Sequence, residues 1–210
     1  MDYGTLVSTR RYLHGVAELI LAGPQYRRGG GIELRVVPGG FGTVAWPDLR
    51  VDGDQLITPD GPPLPLSGAT YAELAAAAGV EASRLDDVYQ NGPKVDPGER
   101  IELDPSAARL FADAFACGDA ALRALAPEVR PVLWPEHFDL GITLDEVNYG
   151  LSPGDDGITE PYAYVGPWKQ HTGTFWNAPF GAARLLADLP NAEVVAEFFR
   201  TGQQLATSAR

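Results

Sequence analysis

The sequence predicts an α+β fold in which helices pack against antiparallel β-sheets within a single globular domain over residues 1–210. Three observations lead to this prediction. Apolar residues recur with helical spacing in four stretches. Two N-terminal stretches alternate apolar and polar residues around glycine-containing turns, and an aromatic segment over 131–181 alternates in the same way. The 45% hydrophobic content is sufficient for a core at this length.

The N-terminal region, residues 5–66, is predicted to be a helix followed by two β-hairpins. The helix is expected over Thr9–Leu21, ending at Gly23-Pro24, because leucine, valine and isoleucine recur there every three to four residues. The first hairpin is expected within 32–46. The second is expected within 49–57, with Asp52-Gly53 at its turn because Gly supplies positive φ.

The middle region, residues 67–130, and the C-terminal region are predicted to be helical. Thr70 and Glu73 have the spacing of a capping box. Asp104 can cap a helix that begins at Pro105 and ends near Ala124. Asn191 can cap a last helix over 191–207 that docks on the domain.

Charge and composition argue against several partners. The formal charge is −12 and only Lys94 and Lys169 supply lysine, so neither nucleic acid nor an anionic membrane surface is expected as a partner. No apolar run is long enough to span a bilayer, and the N-terminus has no signal-peptide pattern. Because Cys117 is the sole cysteine, no disulfide framework is expected. These features favour a cytoplasmic protein.

The aromatic segment from 131 to 181 carries the functional prediction. A strand over 137–144 would place His137 and Asp139 on one face and Phe138 on the buried face. Side chains two apart on a strand point the same way and lie roughly 7 Å apart, so His137 and Asp139 could hold one water or metal ion between them. The alternation changes phase at Asp145-Glu146, which predicts a turn or bulge there.

We therefore predict a small-molecule site, which could be that of an enzyme, in an aromatic-lined pocket with a few polar groups. The candidate catalytic residues are a histidine and two carboxylates: His137, Asp139 and Glu160. The candidate ligand-binding residues are mostly aromatic: Trp134, Glu136, Asn148, Tyr149, Tyr162, Tyr164, Trp168 and Trp176. The sequence identifies no cofactor.

Two alternatives stay open. The same aromatic residues could form a homodimer interface, where Tyr and Trp are favoured. A metal-dependent hydrolase could use His137, Asp139, Glu160 and His171, but no H-x-x-x-H or H-E-x-x-H spacing supports a metal site, and none is assigned. His14 is expected to be partly exposed on a distant helix.

Three motifs carry a resemblance. Trp134–Asp139 (W-P-E-H-F-D), Ser152–Asp155 (S-P-G-D) and Glu160–Tyr164 (E-P-Y-A-Y) follow one another within residues 131–181. The segment resembles a family of uncharacterised bacterial proteins of actinobacterial type with W-P-x-H-F-D, S-P-G-D and E-P-Y-x-Y motifs. The family has no assigned activity, so the resemblance implies a candidate site and no particular chemistry.

Overall fold

A computed structural model describes residues 2–207, and it confirms the α+β class. The chain forms two compact units by its internal contacts. The first unit extends up to Asp113 and includes Leu133–Phe138; the second comprises Ala114–Val132 and the chain from Asp139 onward. The prediction of one domain over 1–210 stays a prediction.

The helices occupy the two chain ends and the middle of the sequence. They are α1 (Tyr3–Val16), a π-helical segment (Ala17–Ala22), α2 (Gly23–Arg27), α3 (Tyr71–Ala77), α4 (Pro105–Leu125), a 3-10 turn (Leu186–Asp188) and α5 (Ala192–Thr207). None of these helices, within the part of the chain described, is both long and apolar enough to cross a membrane.

The strands pair only with antiparallel neighbours in the registers described. They are β1 (Leu34–Val37), β2 (Gly40–Thr43), β3 (Arg50–Asp52), β4 (Gln55–Ile57), β5 (Leu64–Pro65), β6 (Val132–Trp134), β7 (Asp139–Leu144), β8 (Val147–Ser152), β9 (Tyr162–Pro167) and β10 (Ala182–Leu185). In the first unit the strand order is β6-β1-β2-β3-β4-β5, and in the second it is β10-β9-β8-β7.

The N-terminal helix is longer than predicted at both ends. It begins at Tyr3, where the Asp2 carboxylate accepts a hydrogen bond from the Thr5 N–H at 3.0 Å. The prediction that Gly23-Pro24 ends it was wrong, because α2 continues to Arg27. The proline is tolerated because it lies in the first turn of α2, directly after the π-helical segment, where its missing N–H removes no essential bond.

Both N-terminal hairpins and the predicted helix caps are confirmed, with one shift of register. Asp52 pairs with Gln55, so the second turn is centred on Gly53-Asp54 instead of Asp52-Gly53. The side chains of Thr70 and Glu73 form the capping box. Asp104 accepts hydrogen bonds from the first N–H groups of α4, and Asn191 caps α5 through the Val194 N–H.

Hairpin β7-β8 of the second unit explains the change of phase in the sequence. Leu144 pairs with Val147, so Asp145 and Glu146 form a two-residue turn. Their φ angles are 50° and 65°, which is the left-handed backbone that a type I′ turn requires. This turn fixes the register of β7 against β8, and therefore decides which side chains share a face.

Candidate functional site

One face of the second unit's sheet carries four of the polar side chains that were predicted to form the site. We call this the polar sheet face, and it consists of Asp139 and Thr143 on β7, Asn148 and Ser152 on β8, and Tyr162 and Tyr164 on β9. Residues of like parity on paired strands point to the same side. Five of the predicted site residues therefore converge here or at its edge: Asp139, Asn148, Tyr162, Tyr164 and Trp168.

The helices of this unit pack on the opposite face. A methyl group added at Gly118 of α4 would lie 2.9 Å from the Leu151 side chain, and one added at Gly202 of α5 would lie 2.8 Å from that of Val165. These two glycines let the helices approach the sheet closely. The apolar residues of β7–β9 are thereby used to build the core, on the side of the sheet opposite the polar sheet face.

Tyr164 is the central residue of the polar sheet face. Its hydroxyl donates a hydrogen bond to the Asp139 carboxylate. A side chain at Gly150 would begin 2.3 Å from the Tyr164 hydroxyl oxygen, so the ring lies directly over this glycine. Burial, together with the negative charge of Asp139, raises the pKa of Tyr164 well above its usual value. The phenol therefore stays protonated and orients the carboxylate.

Tyr162, on the same strand as Tyr164, also donates a hydrogen bond to a carboxylate. Its hydroxyl donates a hydrogen bond of 2.5 Å to Asp155, and burial followed by the Asp155 carboxylate raises the pKa of Tyr162. Asp155 also accepts hydrogen bonds from the N–H groups of Gly157 and Ile158 at 2.7 and 2.8 Å, which fixes the S-P-G-D loop. The rings of Tyr162 and Phe180 stack with centroids 6.2 Å apart.

At the exposed end of the polar sheet face, the amide of Asn148 accepts hydrogen bonds from two side chains. The Asn148 Oδ1 accepts from the Thr143 hydroxyl at 2.8 Å and from the Trp168 indole N–H at 3.4 Å. Trp168 is held by its backbone N–H, which donates to the Glu146 carbonyl at 2.9 Å. Because 66% of Trp168 is exposed, its ring offers apolar surface next to these polar groups.

Three other predicted residues of the second unit lie elsewhere. Tyr149 is on the helix-facing side, buried against Phe199 with ring centroids 6.1 Å apart. Trp176 stacks on His171 with centroids 4.9 Å apart, in a separate aromatic group with Phe175. Glu160 precedes Pro161 in the loop before β9.

Trp134, Glu136 and His137 belong to the first unit, where the prediction of one strand over 137–144 was wrong. Residues 135–138 form a turn, and β7 begins only at Asp139. Phe138 has φ 54°, which a bulky residue adopts rarely, so the alternation of faces is broken before Asp139. His137 and Asp139 therefore do not share a strand face.

His14 lies on α1 and is partly exposed, as predicted. The prediction that its helix is distant from His137 was wrong, because His14 contacts this turn. Its Nε2–H donates to the Pro135 carbonyl at 2.7 Å, and its ring stacks on Phe138 with centroids 5.4 Å apart. Burial lowers the pKa of His14 to about 4, so the imidazole is neutral. Its polar edge satisfies a carbonyl and its face packs on an aromatic ring, as in a structural histidine.

Next to His14, the same turn keeps its polar side chains at the surface. His137 Nε2 lies 3.8 Å from Glu136 Oε1, with 57% of the His137 side chain exposed. Trp134 ends β6 and is 38% exposed. The turn therefore presents a histidine and a carboxylate to solvent beside the buried Phe138.

The structure also adds residues that the sequence did not indicate. Phe180 contacts both tyrosines of the polar sheet face, and Asp155 accepts the hydrogen bond of the Tyr162 hydroxyl. Spacing along β9 could not reveal either partner, because both come from loops. Among residues 2–207, no group of three or more His, Cys, Asp or Glu side chains is arranged to hold a metal ion.

Comparisons with known proteins give no match: no family model, no curated protein and no solved structure is similar to this chain.

Proposed function

We propose that the protein binds a small molecule on the polar sheet face, and that this molecule carries hydroxyl or amino groups on a partly apolar body. The observation that supports the proposal most is the Asp139–Tyr164 pair. A carboxylate held by a buried phenol that stays protonated is an oriented acceptor, and such an acceptor needs no reorganisation to bind a ligand donor. The exposed Trp168 ring and the Phe180 ring supply apolar surface for the rest of the ligand.

Enzymatic use of this face would rely on Asp139. Tyr164 has its pKa raised by burial and by the neighbouring charge, so it acts as a donor and not as a nucleophile or base at neutral pH. The carboxylate is then the group able to accept a proton from a ligand. Tyr162 and Asp155 form a second pair of this kind, in which the phenol donates a hydrogen bond to the carboxylate.

The test is a screen of sugars, amino sugars and hydroxylated amines by thermal shift, followed by NMR of the indole N–H groups. Compounds that bind here raise the melting temperature of the wild type and of His137→Ala, but not of Asp139→Asn. They also shift the Trp168 indole resonance, identified by its loss in Trp168→Phe. Stabilisation that is equal in the wild type and in Asp139→Asn would place the binding elsewhere and reject the proposal.

A second candidate function is a homodimer interface at the same face. The exposed aromatic surface favours it, since 66% of Trp168 and 42% of Phe180 are accessible. Sedimentation of the wild type and of Trp168→Ala separates the two candidates. A dimer that dissociates in the variant supports the interface, and a monomer at every concentration removes it.

A further inference from the structure

A groove in the first unit lies at the end of α2, far along the sequence from the residues of the polar sheet face. It encloses about 250 Å³ and is lined by Pro24, Arg27, Arg28, Trp46, Glu81 and Ser83. Its composition is unusual for this acidic chain, because two arginines and a tryptophan meet there. Three segments form its walls, so the first question is what holds them.

Gln25 holds two of these segments through a buried side chain that is only 1% exposed. Its amide nitrogen donates to the carbonyls of Gly31 and Glu33 at 2.8 and 2.9 Å. Its amide oxygen accepts from the N–H groups of Val44 and Ala45 at 2.8 and 3.0 Å. All four bonds that the amide can form are therefore used, and they fix the loop that carries Trp46 next to α2.

The third segment is fixed against the N-terminal helix. The Ser83 N–H donates to the carbonyl of Leu19 in the π-helical segment at 2.9 Å. A methyl group at Gly23 would lie 2.0 Å from the Ser83 carbonyl oxygen, so the two backbones are in close contact. The walls of the groove are thus held by bonds that do not involve Arg28 or the Trp46 indole.

The two arginines differ in how they are used. The Arg27 guanidinium binds both oxygens of Asp87, at 2.7 and 2.5 Å, and also donates to the Arg84 carbonyl at 2.7 Å. The Arg28 guanidinium instead lies over the Trp46 ring, with its central carbon 4.3 Å from the ring centroid. Among residues 2–207, no carboxylate pairs with the Arg28 side chain.

A guanidinium stacked on an indole has its face occupied but its edge free. The N–H groups along that edge are the donors that bind a carboxylate with two parallel bonds. Stacking also removes most of the freedom of the arginine side chain, which lowers the entropy cost of binding. The exposed remainder of Trp46, 43% of the residue, is available to contact a flat apolar group.

From this geometry we propose that the groove is a binding site for a small monocarboxylate attached to a planar apolar body. The Arg28 edge binds the carboxylate, and Trp46 and Pro24 contact the body. Glu81 lines the same groove and is exposed, and its negative charge selects against ligands with a second anionic group. This site is independent of the function proposed for the polar sheet face.

The test uses 2-naphthoate as the probe and 2-naphthalenemethanol as its uncharged counterpart. Binding is followed by NMR of the Trp46 indole N–H, assigned by its loss in Trp46→Phe. We expect the carboxylate to bind about tenfold more tightly than the alcohol, which corresponds to one bidentate charge-assisted contact. Equal affinities, or no shift of the Trp46 resonance up to the solubility limit of naphthoate, would overturn the proposal.

Three variants and one control variant refine the result. Arg28→Gln is expected to weaken naphthoate binding about tenfold, and Arg28→Lys to recover little of it, because lysine keeps the charge but loses the planar edge. Glu81→Gln is expected to tighten binding about twofold to threefold by removing a like charge. Arg50→Gln is the matched control, an exposed arginine of the same unit that pairs with Asp52. Equal loss in Arg28→Gln and Arg50→Gln would show general charge attraction only, and would reject the site.

Discussion

The W-P-E-H-F-D motif falls into two regions that the chain uses differently. In the first unit, Phe138 and the Pro135 carbonyl are fully engaged by His14, through a stacked ring and a hydrogen bond of 2.7 Å. In the second unit, Asp139 receives the Tyr164 hydroxyl on the polar sheet face. The groups of the first region are used in packing and in a structural hydrogen bond, and the second region presents an oriented carboxylate.

The difference shows that adjacent residues of one motif can have different roles, one in packing and the next in presenting a polar group. The left-handed backbone of Phe138 is a cost, and the burial of its ring, which leaves 1% of the residue exposed, offsets it. Asp139 begins a regular strand and needs no such compensation. Substitution of Phe138 should therefore affect stability more than ligand binding, and substitution of Asp139 should affect ligand binding more than stability.

The largest effect is expected from Phe138→Ala. Removing a buried ring that contacts His14 and Phe41 should lower the free energy of unfolding by about 3–5 kcal/mol, as for other core aromatics. Denaturant unfolding measures the loss. His137→Ala in the same turn is the control and should change stability by no more than about 0.5 kcal/mol, since its side chain is 57% exposed. Similar losses in both variants would contradict the structural role given to Phe138.

A pH-dependent loss of stability is expected from His14. Burial lowers its pKa in the folded protein to about 4 from the usual 6.5, so the unfolded chain binds a proton more readily. Stability is therefore complete above pH about 6.5 and falls by roughly 2–3 kcal/mol as the pH drops towards 4. His14→Gln keeps a donor for the Pro135 carbonyl but does not titrate, so this part of the loss should disappear. His171→Gln should leave the loss unchanged, and an unchanged loss in His14→Gln would refute the assignment.

A smaller effect on stability, but a large one on binding, is expected from Tyr164→Phe. Loss of a hydrogen bond to a carboxylate should cost about 1.5–2 kcal/mol. Tyr162→Phe is the matched control and should cost less, about 1 kcal/mol or below, because its partner Asp155 is exposed. Any ligand found for the polar sheet face should bind the Tyr164 variant more weakly than the Tyr162 variant. The reverse order would move the site towards Asp155.

The smallest effect is expected from Glu146→Gly in the turn of the β7-β8 hairpin. Glu146 has φ 65°, and glycine adopts this conformation without strain, so the variant should be more stable by about 0.5–1 kcal/mol. Thermal unfolding checks the direction. Ligand affinity at the polar sheet face should stay the same, because the backbone carbonyl that holds Trp168 is retained. A fall in affinity would show that the Glu146 side chain belongs to the site.

Local signals in the sequence predicted the regular elements well. The capping residues Thr70, Asp104 and Asn191 act as expected, because a cap depends on side chains within three residues of it. Simple alternation predicts that Tyr162 and Tyr164 share one face of a strand, and the structure confirms this on β9. The turn at Asp145-Glu146 was visible as a change of phase.

The errors arose where a contact distant in sequence overrides a local preference. Phe138 leaves the strand conformation because its ring is held by His14, which is more than a hundred residues away. No spacing rule could connect these two residues. For the same reason no local signal indicates that Phe180 lies beside the tyrosines, or that Trp46 lies beneath Arg28.

The π-helical segment Ala17–Ala22 adjusts the phase of the N-terminal helix. A π turn accommodates more residues than an α turn, so shortening this segment by one residue allows an uninterrupted α-helix. The residues after the deletion would keep nearly the same orientation, because the wider turn and its extra residue are lost together. The same deletion within α1, which is already α-helical, would instead rotate the two parts of the helix relative to each other by about 100° and bring them about 1.5 Å closer along the axis. Gln25 would then no longer face the Trp46 loop while α1 keeps its own buried face. A deletion of a single codon is thus far more damaging in α1 than in the π-helical segment.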